Sequence, residues 1–136
     1  MKIFICCSKH LYKNIGEIKE KLEAAGHTIT LPNSYDKPLM EEDMKKVGKE
    51  EHAKWKSDML RLQENKIRTN DAILVLNFEK NGQANYIGGA TFLEMFKAWE
   101  LNKKLYLWNN IPEGILKDEI LGFNPTILNG DLSKIL

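Results

Sequence analysis

Residues 72–76, Ala-Ile-Leu-Val-Leu, form an unbroken apolar run between Asp71 and Asn77. A strand with one wet face alternates; a run with no polar break suits a central strand covered on both faces. The cover on both sides comes most simply from helices that link parallel strands. The rest of the chain repeats the same alternation of strand and helix. Residues 2–6 are a second short apolar run. Residues 27–31 alternate, are β-branched, and end at Pro32 and Asn33. Residues 105–108 predict a fourth strand and 126–128 a short fifth. Between the first two, Leu11, Ile15, Ile18, Leu22 and Ala25 recur at helical spacing, with Gly26 placed to end the helix.

Residues 33–40 read as a loop. Residues 41–68 are polar and rich in helix formers, with a break near Gly48 and with Trp55, Met59, Leu62 and Lys66 on one side. A loop over 78–87 holds the turn signal Asn81-Gly82. Gly88 and Gly89 precede a helix over 90–101. A short helix over 112–121 follows, then a turn at Gly122-Phe123-Asn124-Pro125 and a tail ending in a helical turn. The expectation is an α/β fold: a doubly wound sheet of about five mostly parallel strands with helices on both faces.

The chain has 136 residues, enough for one domain spanning 1–136. Twenty Lys and Arg against nineteen Asp and Glu leave a net charge of +1. That balance argues against nucleic acid as a partner, since phosphate-driven binding calls for a basic excess. The apolar runs are far shorter than the ~20 residues of a membrane span, so no membrane partner is expected. The apolar start is too short for a signal peptide and is followed by Lys9 and His10. Cys6 and Cys7 are adjacent, and neighbours on a strand point to opposite faces. Two unpaired thiols in a reducing cytoplasm is the expectation, with a vicinal redox pair as the alternative.

A parallel sheet of this kind binds ligands beyond the carboxyl ends of its strands. Those ends carry Cys7-Ser8, Pro32-Asn33, Asn77-Phe78 and Asn109-Asn110. Gly88-Gly89 before a helix lets the backbone pass close to a ligand and offers free N–H groups; a loop that needs glycine only for its turn reads the same way. Glu94 stands among Phe92, Leu93, Met95 and Phe96, so burial is expected, and a buried carboxylate must be paired, hydrogen-bonded or shifted in pKa. The alternative is a solvent-facing Glu94 paired with Lys97. Asp71 opens the central strand at its amino end and suits a cap better than catalysis. Asp58, Glu64 and Asn65 lie upstream, unmarked by their spacing. Tyr12 follows the first strand near Ser8 and His10, either over the crevice or on the surface. His10, His27 and His52 lack metal-ligand spacing, so no metal site is expected. There is no G-x-S-x-G, Walker A or G-x-G-x-x-G motif.

Several blocks together resemble the nucleoside 2-deoxyribosyltransferase-like family. Ile3-Phe4-Ile5-Cys6-Cys7-Ser8 is similar to that family's I-F-I-C-G-S start. Asn70-Asp71-Ala72-Ile73-Leu74-Val75-Leu76-Asn77 is similar to its S-D-A-I-L-V-L-N strand. Tyr86-Ile87-Gly88-Gly89-Ala90-Thr91-Phe92-Leu93-Glu94-Met95 resembles its glycine-rich turn and nucleophile helix. Ile120-Leu121-Gly122 and Asn129-Gly130-Asp131 resemble the tail of one small branch. The blocks stand in the family's order along most of the chain.

The resemblance implies a flavodoxin-like fold and a homodimer or higher homo-oligomer. It implies cleavage or transfer at the N-glycosidic bond of a nucleoside or nucleoside 5′-monophosphate, with no cofactor. Glu94 would be the nucleophile and hold a covalent glycosyl intermediate, shielded from water by Phe92 and Phe96. A second acid is expected near Glu64 and Asn65, and Asp71 matches a recurrent aspartate. Ser8, Tyr12, Asn77, Tyr86, Gly88 and Gly89 are the matching substrate-binding candidates, the two glycines near the sugar 5′ end. Three positions depart from the family: Cys7 and Phe96 stand where it has glycine, and Asn65 where relatives carry an acid. A nucleotide-binding or sensing module that uses the same crevice with weak or no catalysis is therefore the alternative function. A third is a structural partner using the polar helix of residues 41–68 as an interface.

Overall fold

The computed structural model describes residues 1–135. Five strands, β1 (Lys2–Cys6), β2 (Thr28–Thr30), β3 (Ala72–Val75), β4 (Lys104–Leu107) and β5 (Thr126–Ile127), form one sheet in the order β2-β1-β3-β4-β5. Every pairing is parallel, with Ile3 opposite Ala72 and Cys6 opposite Val75 in the central pair. This is the doubly wound, flavodoxin-like strand order.

The pleat sorts the core into two layers. Ile3 and Ile5 of β1 and Leu74 of β3 pack on one face with Leu11, Ile15, Leu22, Leu128 and Ile135. Phe4 and Cys6, with Ile73 and Val75, pack on the other with Ile67, Met95, Ala98, Leu107 and Ile120. Successive side chains of one strand feed opposite layers, so an unbroken apolar run is what a strand covered on both faces requires. The helix α1 (Ile15–Ala24) covers the first face, and α4 (Gly89–Glu100) and α5 (Lys117–Phe123) the second. Gly26, at φ +95°, ends the first crossover in the left-handed region that glycine adopts freely.

Three local expectations are corrected. Residues 9–14 form a 3-10 segment ahead of α1. The short helix expected over 112–121 begins only at Lys117, after Gly114 at φ +132° breaks the chain, and runs to Phe123. The polar region splits into α2 (Met40–Val47) and α3 (Lys49–Arg68), as the break at Gly48 predicted. The inward stripe of α3, however, runs through Trp55, Met59, Gln63 and Ile67 in steps of four, and Leu62 is 40% exposed.

Candidate functional site

β1 lies between β2 and β3, so the chain leaves it toward one side of the sheet and returns on the other. A cavity of about 240 Å³ opens beyond its carboxyl end. Cys7, Ser8 and Tyr12 enter it after β1, Pro32, Asn33 and Ser34 after β2, and Gly88 to Thr91 at the start of α4. The inward stripe of α3 closes it from above.

Glu94 lies at the inner wall, only 7% exposed. Burial pushes its carboxyl up to about 8; the hydrogen-bonding Cys6 thiol and the charges of Lys66 and Lys56 pull the other way without prevailing. Lys97 donates to Glu100 at 2.7 Å, so the surface pairing with Glu94 does not form. The source of burial differs from expectation. Leu93 is 47% and Phe96 40% exposed. On α4, Thr91, Glu94, Met95 and Ala98 turn toward the sheet, while Leu93 and Phe96 turn outward. The sheet and α3 therefore bury Glu94, not Phe96, whose ring instead packs on Trp99 and Phe123.

Both cysteines are free and buried. Cys7 reaches the cavity, and burial, then the nearby Glu94, pushes its thiol up to about 12. Burial also raises the Cys6 thiol, again with help from Glu94. These are protonated thiols, poor nucleophiles at neutral pH.

Of the other sequence candidates, Ser8, Tyr12, Gly88 and Gly89 line the cavity. Burial raises the Tyr12 hydroxyl, so it stays protonated and serves as a hydrogen-bonding group. Tyr86 sits behind the glycine turn: a Cβ on Gly88 would stand 3.3 Å from its hydroxyl, and the Lys80 ammonium lies 4.4 Å from its ring centre. Asn77 is fully buried as a clamp. It donates to the carbonyls of Asn109 (3.1 Å) and Asn110 (2.9 Å) and accepts from the Asn109 N–H at 2.8 Å. Asp71 lies at the amino end of β3 and accepts from the Lys2 N–H at 2.8 Å, tying the first strand to the central one. Glu64 pairs with Arg68, and Asn65 is exposed. Glu64 and Asn65 fall outside the inward stripe of α3, which is why the second-acid region does not meet Glu94 in this chain.

The residues that do face the cavity from the helical cover were not singled out as site residues in the sequence. Trp55, Lys56, Met59 and Gln63 come from α3, and Glu41 from α2. The signal available was the four-residue step 55-59-63; it was obscured by the exposed Leu62 one position away. Glu41 Oε2 accepts from Lys56 Nζ at 3.3 Å and lies 3.0 Å from His52 Nε2. Lys9 pairs with Glu42. Gln63 Nε2 contacts the Ala90 carbonyl at 3.5 Å, and Asn33 Nδ2 donates to the Met59 carbonyl at 2.9 Å. Asn33 Oδ1 is buried without a partner among the described residues.

The cavity thus combines a buried carboxyl, hydroxyls and amides, a tryptophan and several lysines. Such a set can hold a polar ring system and bring a carboxylate to one of its carbons. Among the described residues no helix is long and apolar enough to cross a membrane. Compared with protein-family models, with curated proteins and with solved structures, the chain matches none.

Proposed function

We propose that this chain cleaves or transfers the N-glycosidic bond of a nucleoside or nucleoside 5′-monophosphate, in the manner of the nucleoside 2-deoxyribosyltransferase-like proteins it resembles. The observation that carries the reading is Glu94: a buried carboxyl beside the Cys6 thiol, set into a cavity at the carboxyl end of the sheet. A Glu94 oxygen attacks the anomeric carbon while the C–N bond breaks and its electron pair leaves with the base. Water or a second base then displaces Glu94 from the same carbon. Ser8 and Tyr12 meet the sugar hydroxyls, and the backbone N–H groups after Gly88-Gly89 meet its 5′ end. The dry wall around Glu94 protects the intermediate.

The test is base release from a panel of deoxynucleosides, ribonucleosides, their 5′-monophosphates and NAD, separated by chromatography. Wild type releases base and Glu94→Ala does not; full activity in Glu94→Ala sinks the mechanism. Adding a second base separates transfer from hydrolysis.

The second reading, a nucleotide-binding module without turnover, is favoured by the same carboxyl. Held up at about 8, it carries a proton at neutral pH and donates a hydrogen bond rather than attacking. Nucleotide-induced thermal stabilisation with no base release selects this reading.

The site works in a homo-oligomer in the cytoplasm. Leu93, Phe96 and Trp99 of α4 and Leu121 of α5 are 40–53% exposed, and Phe96, Trp99 and Phe123 rings stand within 6.4 Å of one another. An exposed aromatic face of this kind marks an interaction surface. Free thiols at Cys6 and Cys7 suit a reducing compartment. Light scattering checks the assembly: a dimer that Trp99→Glu converts to monomer is expected, and a strictly monomeric wild type overturns it.

A further inference from the structure

Breaking a C–N bond to a neutral base is slow unless the base receives a proton as it departs. Asp71, Glu64 and Asn65 lie outside the cavity, so the donor must be sought among groups that line it. Lys9, paired with Glu42, Lys80, against the Tyr86 ring, and the exposed His10 also line it, but the cations whose charges reach Glu94 are Lys56 and Lys66. Cys7 and Tyr12 hold their protons too tightly. Lys56 lines the cavity from α3, and its charge acts on Glu94. Lys66 also acts on Glu94, but its ammonium is committed to the Leu31 carbonyl at 2.8 Å, outside the cavity. Glu41 anchors Lys56 at 3.3 Å and is itself held by His52 at 3.0 Å, whose ring stacks on Trp55 at 6.2 Å.

We propose that Lys56 is the acid that protonates the departing base, and that Glu41, backed by His52, positions it. This assignment rests on the glycosidic-bond reading. As Glu94 bonds to the anomeric carbon, the C–N electron pair goes to the base nitrogen and a proton passes from the Lys56 ammonium to the base. Lys56 is left as a neutral amine. When water or a second base attacks the anomeric carbon, the amine takes the proton that the attacking group loses, and Glu94 departs as carboxylate.

The experiment compares wild type, Lys56→Met and Glu41→Gln on two kinds of leaving group. One is the most reactive natural base found in the panel. The other is 7-methylguanine or nicotinamide on the same sugar, which departs as a neutral base without needing a proton. Lys56→Met is expected to lose about a hundredfold or more in kcat on the natural base and less than about fivefold on the cationic one. Glu41→Gln should show the same pattern, weaker. Equal losses on both substrates, or no loss on the natural base, overturn the assignment while leaving Glu94 in place. If the wild type accepts only the natural base, the loss must fall in kcat with KM nearly unchanged; a loss confined to KM overturns it. No base release by wild type removes the proposed function and this assignment together, whereas an inactive Glu94→Ala beside a fully active Lys56→Met removes only the latter.

Discussion

Two acidic residues stand at opposite ends of the layered core, and their surroundings could hardly differ more. Asp71, at the amino end of β3, is exposed and accepts a backbone N–H from Lys2. Glu94, near the carboxyl end of β1, is buried and has the Cys6 thiol as its hydrogen-bonding neighbour. A solvated carboxylate with a donor stabilises the fold it joins. A desolvated one without a strong partner does the opposite, and carboxyls of that kind cluster at functional sites. On the proposed reading, the end of the sheet separates a structural acid from a chemical one.

The largest expected effect follows from the charge state of Glu94. In the proposed mechanism the nucleophile is the carboxylate, and burial holds the carboxyl up at about 8. Below that value kcat/KM should fall about tenfold for each pH unit, and above it the curve should level. The groups acting on Glu94 are Cys6 from β1 and Lys66 and Lys56 from α3, while Cys7 and Tyr12 keep their protons throughout this range. A kcat/KM profile that is flat from pH 5 to pH 9 would show that Glu94 does not titrate as the active group.

The fold was legible because its signals are local. The apolar runs at residues 2–6 and 72–76, the helical spacing from Leu11 to Leu22 and the glycine at 26 each name an element without reference to the others. Ser8, Tyr12, Gly88 and Gly89 were legible as cavity residues because they follow a strand or open a helix at the carboxyl end of the sheet, whereas Glu94 was legible as a buried carboxyl from its apolar neighbours, two of which, Leu93 and Phe96, in fact turn outward. Lys56, Gln63 and Glu41 were not. They belong to polar helices whose register over the cavity depends on packing against α4 and on ion pairs between α2 and α3. A polar helix carries little hydrophobic period, so which of its faces turns inward is decided by tertiary contacts. Asn77 misled for the opposite reason: a polar residue at a strand's carboxyl end can bind a ligand or clamp the next loop, and its own sequence does not say which.

Stability gives the sharper contrast, with opposite signs for the two acids. Glu94 has a folded pKa of about 8 against an ordinary 4.5. Between those values the unfolded chain has released the proton and the folded chain retains it, so rising pH draws the protein toward the unfolded state. Glu94→Gln removes that pull. The variant should match wild type near pH 4.5 and exceed it progressively to pH 8, by on the order of 4 kcal/mol at the top of the range. Urea unfolding at both pH values measures it, and an equal effect at both would show that packing rather than charge sets the difference. The smaller effect lies at the other end of the sheet. Asp71→Ala deprives the Lys2 N–H of its 2.8 Å acceptor at an exposed position where water replaces it in part. A loss of about 1 kcal/mol is expected, with kcat/KM unchanged. If Asp71→Ala instead abolished base release in a folded protein, the division between a structural and a chemical end of the sheet would fail, and the acid at the amino end would have to reach the site of a neighbouring subunit.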